Sequence, residues 1–359
     1  MPDQGLGRAG EQAHPVAGLL PTASAHGAVP GQGLLAGLPM FAHVSRCLVM
    51  GIVNVTPNSF SDGGLYRTSQ AAVAHGRELI RQGADIVDIG GESTKPGAAR
   101  VSEAEELART LPVVSALAGY IATQQLPVAL SIDTMRASVA QAAVDAGASI
   151  INDVSGGLAD PLMPLVVAST QAVYIAMHWL GHSAQMDELE RRADIHDSAV
   201  VGEVYRHLEG RLEALTAAGI PENRIVLDPG LGFSKAGTAN WTLLRNLDQL
   251  HQLGRPLLIG ASRKRFLSPV SRPAPAPGAG VQAGTSPAAG SFPQVGPSSP
   301  VGPVSQAGLP SPASDRDGAT AAVTALAAHG GAWAVRVHNV AANRDAVHVA
   351  AAWMGIMAS

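Results

Sequence analysis

Seven polar side chains stand at or just after the ends of short apolar runs. These residues are Asn54, Asp133, Asp153, His178, Asp228, Ser262 and His338. Carboxylate and amide groups can hydrogen-bond a flat polar heterocycle, and cationic or hydroxyl groups can hold an anion. Any one of the seven could instead cap the following helix or turn. Because all seven recur at the same kind of position, we interpret them as one pocket.

Two segments that follow such runs have the composition of ligand-binding loops. Met50–Gly64 and Asp88–Gly97 combine Gly, Pro, Ser and Thr with few aliphatic side chains. Backbone-rich loops of this kind can fold over a bound ligand. Each could also be an ordinary connection between a strand and a helix.

The polar positions require a scaffold that brings separate strand ends together. Predicted strands are Leu48–Asn54, Ile86–Gly90, Val128–Asp133, Ser149–Asp153, Ala172–His178, Ile225–Asp228, Pro256–Gly260 and Trp333–His338. Predicted helices between them include Ser69–Gln82, Ser102–Leu117, Arg136–Ala146, Asp197–Ala218, Asn240–Gln252 and Arg316–His329. Eight βα units favour an α/β fold, the (β/α)8 TIM barrel, with its site at the C-terminal ends of the strands. An open doubly wound sheet is the alternative.

Two segments have compositions that do not support a packed core. Residues 1–44 are rich in Gly, Ala and Pro, and residues 268–314 are almost entirely Pro, Ala, Gly, Ser, Val and Gln. We predict that both are disordered, because they cannot bury enough apolar area to offset the entropy lost on ordering. A barrel domain is therefore predicted for residues 45–359, interrupted by an insertion after the seventh strand.

Charge and hydropathy exclude several classes of protein. The net charge of −4 provides no basic field for a nucleic acid, so small-molecule substrates are expected. We find neither a membrane-length apolar stretch nor a signal-peptide pattern, which predicts a cytoplasmic protein without membrane contact. The single cysteine, Cys47, excludes an internal disulfide and a cysteine-based zinc cluster.

The two loops and five further motifs resemble those of dihydropteroate synthases, which are pterin-binding enzymes. The further motifs are Leu130–Thr134, Ile151–Gly157, Leu227–Phe233, Gly260–Lys264 and Val335–His338. All seven occur in the family's order, and His178–His182 and Gly330–Trp333 are most similar to the actinobacterial branch. The resemblance implies condensation of 6-hydroxymethyl-7,8-dihydropterin diphosphate with 4-aminobenzoate, release of pyrophosphate, Mg²⁺ as cofactor, inhibition by sulfonamides and a homodimer.

The resemblance also assigns roles to individual residues. The pterin-binding positions are matched by Asp133, Asn152, Asp228 and Lys264. Arg336 and His338 match the anion-binding pair, and Asn54 matches the position that contacts Mg²⁺. The implied catalytic residues are Asp133, Asp228, Lys264, Arg336 and His338. Around the aminobenzoate, the resemblance points to Phe60, Thr94, Lys95, Pro96, Phe233, Ser262 and Arg263, with the Arg263 guanidinium stacked on the ring.

Two substitutions depart from the family pattern, and two other functions remain open. Asn58 and Asn339 stand where the family usually has an acid. A noncatalytic pterin-binding paralogue would keep the pocket but release no pyrophosphate. A methyltetrahydrofolate-dependent methyltransferase shares the barrel, but its reaction has no use for an anion site on the eighth strand.

Overall fold

Eight parallel strands form a closed ring. The computed structural model describes residues 35–55, 69–92, 100–181, 199–235, 237–271 and 313–356. The strands are β1 (Leu48–Asn54), β2 (Ile86–Gly90), β3 (Ala129–Asp133), β4 (Ile150–Asp153), β5 (Val173–Met177), β6 (Ile225–Asp228), β7 (Leu258–Ile259) and β8 (Ala334–Val337). Neighbours from β1 to β6 pair in parallel, β8 pairs with β1 and β7, and a bridge from Leu227 to Leu257 joins β6 to the start of β7. The predicted (β/α)8 barrel is confirmed, and the open sheet is wrong.

Helices surround the ring. Within the described residues they are α1 (Ser69–Arg81), α2 (Glu103–Gln124), α3 (Ala137–Asp145), α4 (Met163–Ser169), α5 (Val200–Ala217), α6 (Gly237–Arg245), α7 (Leu247–His251), α8 (Asp317–His329) and α9 (Val340–Trp353). Short 3₁₀ helices occupy Pro39–Phe41, Glu222–Arg224, Arg265–Val270 and Ala313–Arg316. None of the helices in these ranges is long and apolar enough to cross a membrane.

Local side-chain chemistry explains where the helices differ from prediction. The expected helix Asn240–Gln252 is divided between α6 and α7 at Asn246, whose side chain donates to the carbonyl of Thr242 at 2.8 Å. Such a bond competes with the helical backbone pattern. Helix α2 continues beyond Leu117 and ends at Gln124, and its C-cap residue Gln125 adopts a left-handed φ of 52°.

The interior of the barrel divides into an apolar half and a polar half. Side chains two residues apart on a strand face the same side. Inward-facing residues toward the N-terminal ends are apolar: Leu48, Met50, Ile86, Ala129, Ile150, Val173, Ile175, Val226, Leu258 and Ala334. The next inward positions on β2, β3, β4, β6 and β8 are polar, and together they form the candidate site.

The N-terminal end of the barrel is closed by residues that were predicted to be disordered. Leu38 and Phe41 are buried in the same apolar cluster as Leu48 and Trp333, and the Ala36 N–H donates to the carbonyl of Asn223 at 3.0 Å. The disordered tail predicted for residues 1–44 is therefore wrong for residues 35–44. Residues 1–34 lie outside the described residues.

The insertion follows the 3₁₀ helix Arg265–Val270, and the described chain resumes at Ala313. The predicted boundaries, 268–314, were a few residues too wide, because both flanking 3₁₀ helices are ordered. The prediction of disorder for residues 272–312 falls outside the described residues.

Candidate active site

The centre of the site is a hydrogen-bonded group of four inward-facing side chains. Arg336 donates through Nε to Asp88 Oδ2 and through Nη2 to Asp133 Oδ2, each at 2.6 Å. Asn152 donates to the same Asp88 oxygen at 3.1 Å. The sheet register sets this arrangement, since Asp133 lies opposite Asn152 in the pairing of β3 with β4. Four different strands thus contribute to one polar layer.

The charges of this group are sheltered from solvent. Asp88 is fully buried, and Asp133 is 8% exposed. Burial raises the pKa of Asp133 from 3.8 to about 7; Arg336 opposes the shift and the Asp88 carboxylate adds to it. Asp133 can therefore change its protonation state near neutral pH, and Arg336 favours the ionised form.

Two buried atoms beside the group have no hydrogen-bond partner among the described residues. They are Asp88 Oδ1 and Ser131 Oγ, and the two residues lie opposite each other in the pairing of β2 with β3. An unpaired buried polar atom costs about 1–3 kcal/mol. A bound heterocycle that offers hydrogen-bonding groups to this layer would remove that cost.

A second polar pair lies across the barrel, on the β6 and β7 side. Asp228 Oδ1 accepts from the Gly230 N–H at 2.7 Å. Lys264 donates to the carbonyl of Leu231, and its Nζ lies 4.3 Å from the centre of the Phe233 ring. Burial lowers the pKa of Lys264 to about 8, and the Asp228 carboxylate opposes that shift. Lys264 thus presents a cation beside an aromatic face.

Lys235 was not predicted, and it fixes the loop that follows Asp228 and carries Phe233. Its Nζ lies 2.9 Å from His178 Nδ1 and donates to the carbonyls of Gly230 and Phe233 at 2.9 and 3.1 Å. Burial lowers the pKa of Lys235 to about 7. The signal available in the sequence was a lysine two residues after a Gly-rich motif that already contained two predicted ligand contacts.

Ser262 and His338 meet at the ends of β7 and β8. Ser262 Oγ lies 3.0 Å from His338 Nδ1 and accepts from the His338 backbone N–H at 3.2 Å. If the Ser262 hydroxyl donates its hydrogen bond to Nδ1, the neutral ring of His338 has its proton on Nε2, a donor suited to an oxyanion. Arg336 lies two residues earlier on β8 and faces the same side, as predicted.

Arg263 has contacts other than those expected for a ring-stacking residue. Its Nε and Nη2 donate to the two carboxylate oxygens of Asp317 at 2.7 and 2.8 Å. Asp317 also lies 3.4 Å from the amide nitrogen of Asn339. The aminobenzoate contact of Arg263 stays a prediction.

Two of the seven polar strand-end residues face away from the pocket. Asp153 accepts from the hydroxyls of Ser155 and Tyr174 at 2.7 Å, so it stabilises the turn after β4. The His178 ring lies 4.6 Å from the His207 ring on α5. Strand alternation explains both positions, because Asn152 and Met177 are the inward neighbours. The interpretation of all seven residues as one pocket is therefore wrong for these two.

Several predicted site residues lie outside the described residues. These are Phe60, Thr94, Lys95 and Pro96, together with the departure at Asn58. Asn54 is described: it ends β1, is half-buried, and pairs with Gly90 in the register of β1 with β2.

Comparison with known proteins shows the family to which this chain belongs. The family model described as Pterin binding enzyme matches residues 50–338. The chain belongs to the pterin-binding enzyme family. Dihydropteroate synthase of Mycobacterium leprae is 43% identical over 85% of this chain and 93% of its own length, which supports the predicted actinobacterial likeness.

Solved structures of pterin-binding enzymes agree with the fold. Xanthomonas albilineans dihydropteroate synthase with 4-aminobenzoic acid is 38% identical with a TM-score of 0.66, covering 88% of this chain and 94% of that one. Yersinia pestis dihydropteroate synthase in a sulfonamide drug complex is 34% identical with a TM-score of 0.70, covering 87% and 95%.

Proposed function

We propose that this chain is a dihydropteroate synthase, which condenses 6-hydroxymethyl-7,8-dihydropterin diphosphate with 4-aminobenzoate and releases pyrophosphate. The observation that carries the proposal is the buried group of Arg336, Asp88, Asp133 and Asn152 at the C-terminal end of the barrel. The names of the relatives and of the structural neighbours support it.

The polar layer suits the hydrogen-bonding pattern of a pterin. A pterin donates from its amino group and ring N–H and accepts at its carbonyl. The carboxylates of Asp133 and Asp228 and the amide of Asn152 accept from these donors, while Lys264 donates to the carbonyl. A ring without these groups would leave buried atoms unpaired, so the pocket discriminates against it.

The diphosphate belongs at the end of β8. Arg336 and His338 face the same side there and supply donors to its oxygens. Arg336 is also bound to Asp88 and Asp133, so the same guanidinium connects this buried pair of carboxylates to the anion end of the site.

Asn54 would contribute one oxygen to a magnesium ion that also binds phosphate oxygens of the substrate. The described ranges contain no group of three or more His, Cys, Asp or Glu side chains that could hold a metal. Mg²⁺ often binds through one or two protein oxygens together with phosphate oxygens and water, and the inward-facing amide of Asn54 offers one such oxygen. When bound, the ion neutralises part of the charge on the leaving diphosphate.

The aminobenzoate would lie nearer the surface. Ser262 and Phe233 are the described residues proposed to contact it: Ser262 lies two residues before Lys264 in the sequence, and the Phe233 ring lies 4.3 Å from the Lys264 amine. The contacts expected from Phe60, Thr94, Lys95 and Pro96 belong to the same proposal.

The chemistry requires charge placement more than a general base. Departure of the diphosphate leaves a positive charge delocalised over the pterin, and the carboxylates of Asp133 and Asp228 stabilise it. The neutral aryl amine attacks the methylene carbon and then loses a proton to solvent. Asp133, Asp228, Lys264, Arg336 and His338 are the proposed catalytic residues.

A coupled assay of pyrophosphate release tests the proposal. With the pterin diphosphate, 4-aminobenzoate and Mg²⁺ together, the protein should release pyrophosphate and form dihydropteroate, and omission of either substrate should stop both. Tight pterin binding without turnover would instead favour a noncatalytic paralogue. Binding that does not depend on the diphosphate would favour a methyltransferase.

We also propose a homodimer that forms through the late helices. Leu326 on α8 and Val349 and Trp353 on α9 are 69, 64 and 81% exposed, a set of apolar side chains that a second copy would cover. Sedimentation equilibrium of wild type and Trp353→Glu would test this assembly. We propose separately that the protein is cytoplasmic.

A further inference from the structure

Arg263 lies between two residues of the proposed site and has an uncommon backbone conformation. Its φ is 59°, in the left-handed region that non-glycine residues rarely adopt. A residue held there is strained, so surrounding contacts must stabilise it. Ser262 and Lys264 leave this turn in different directions, one toward His338 and the other toward Phe233.

Three contacts from one short segment hold Arg263. Its backbone N–H donates to Thr320 Oγ1 at 3.2 Å, and its carbonyl accepts from Arg316 Nε at 2.9 Å. Its guanidinium forms the two-bond ion pair with Asp317. All three partners lie at the start of α8, directly after the insertion.

The ion pair is sheltered enough to fix geometry. The side chains of Arg263 and Asp317 are 11 and 19% exposed. A bidentate arginine–carboxylate pair restricts both distance and orientation. The two parallel hydrogen bonds of the planar guanidinium therefore restrict the orientation of Arg263 more than a single hydrogen bond would.

Asn339 is a neutral residue that can donate a hydrogen bond to the carboxylate of this ion pair. Its Oδ1 accepts from the Ala342 N–H at 3.3 Å as the N-cap of α9, and its amide nitrogen lies 3.4 Å from Asp317 Oδ2. An aspartate at this position would also cap the helix, but it would place a second carboxylate against Asp317. The departure from the family pattern at Asn339 therefore spares Asp317 that repulsion.

We propose that Arg263 is a positioning residue, whose ion pair with Asp317 holds the left-handed turn that places Ser262 against His338. This inference rests on the proposed function, since Ser262 matters there as a contact for the aminobenzoate. Lys264 depends less on the pair, because Leu231 and Phe233 also hold its amine. Loss of the ion pair therefore weakens aminobenzoate binding more than pterin binding.

A double-mutant cycle tests whether Arg263 and Asp317 act together on aminobenzoate binding. The four proteins are wild type, Arg263→Ala, Asp317→Asn and the double variant, and the aminobenzoate concentration is varied at saturating pterin diphosphate. Each single variant should raise the KM for the aminobenzoate about 10-fold and the double variant no more than about 2-fold further, because both changes remove the same interaction. The affinity for a pterin that lacks the diphosphate, measured by calorimetry, should change less than about 3-fold, because Lys264 keeps its contacts with Leu231 and Phe233.

Matched variants control for charge and folding. Asp315→Asn removes the same charge two residues earlier and should behave as wild type. Asp317→Glu keeps the carboxylate and should recover part of the aminobenzoate affinity; it also serves if Asp317→Asn does not fold. Additive losses in the cycle, an unchanged KM for the aminobenzoate in Asp317→Asn, or an equal loss of affinity for the pterin that lacks the diphosphate would overturn the inference.

The same cycle can be measured without turnover. Coupling between positions 263 and 317 should appear in denaturant unfolding of the four proteins, and aminobenzoate binding can be followed by calorimetry. Absence of pyrophosphate release in wild type would count against the proposed function. Absence of coupling in unfolding or binding would count against the ion pair alone.

Discussion

Arg336 determines the charge balance of the site. Its guanidinium binds Asp88 and Asp133 at 2.6 Å each, and both carboxylates are buried. Removing one partner of a buried ion pair typically costs about 3–5 kcal/mol, because the other charge is left uncompensated. Arg336→Ala would therefore damage the fold and the pterin pocket together. His338, which is bonded to Ser262, offers a cleaner test of anion binding.

Asp133 should make the stability of the protein depend on pH. Its pKa is raised from 3.8 to about 7, so between these values the folded protein binds more protons than the unfolded chain. The free energy of unfolding should then fall as pH rises through this window. The variant Asp133→Asn cannot titrate at this position, so it should flatten the decline in urea unfolding measured between pH 5 and 7.

Other buried groups also make the free energy of unfolding depend on pH. The informative quantity is therefore the difference in pH slope between wild type and Asp133→Asn. Burial also raises the pKa of Asp228, Glu106 and Asp153. Their contributions remain in both proteins and largely cancel. An identical pH slope in Asp133→Asn would show that Asp133 titrates near its ordinary pKa.

At the residue scale, the sequence predicted the ends of the strands better than their interiors. The described structure brings Asp133, Asn152 and Arg336 together as expected. Asp88 was missed because it lies in the middle of β2, although it faces inward with Ser131 opposite. Strand alternation could have found it, and could also have excluded Asp153 and His178.

Among the structural elements, the 3₁₀ helix Pro39–Phe41 has a role that its composition conceals. It closes the apolar end of the barrel, where Phe41 packs in the cluster that contains Trp333. Phe41→Ala should lower the free energy of unfolding by about 2–4 kcal/mol through lost apolar burial and a residual cavity. The kcat should change little, because the site lies at the opposite end of the strands.

The adjacent Met40 provides the control for this element. Met40 is 40% exposed, so Met40→Ala should have a much smaller effect on denaturant unfolding. Equal stability of Phe41→Ala and wild type would show that the 3₁₀ helix does not close the barrel. A folded Phe41→Ala protein without turnover would contradict the separation of the two ends.

Element positions were largely predictable, and their ends less so. Apolar runs that alternate with helical patterns eight times leave few folds other than a barrel, and β1, β2 and β6 have the predicted bounds. The order of residues 35–44 could not be predicted from a Gly- and Pro-rich stretch, because it depends on two apolar side chains meeting a distant cluster. The break at Asn246 likewise depends on one side-chain bond.

At the scale of the whole molecule, the N-terminal end of the barrel contributes an apolar core and the C-terminal end carries the proposed active site. The insertion follows the seventh strand, so it begins on the active-site side. The described chain stops at Ser271, near the 3₁₀ helix Arg265–Val270, and resumes at Ala313. Replacing residues 272–312 by a short Gly/Ser linker should leave kcat and both KM values within about 3-fold of wild type, because loop length alone has a small energetic effect. Steady-state kinetics on the folded variant checks this expectation, and abolished turnover would reject it.

Calorimetry with a pterin that either carries or lacks the diphosphate tests the central claim most directly. Lys264→Ala should weaken binding of both ligands by at least about 10-fold, because it removes a charged donor to the ring. His338→Gln should weaken only the diphosphate ligand. That split is the result predicted by one pocket with a heterocycle end and an anion end; equal losses for both ligands in both variants would contradict it.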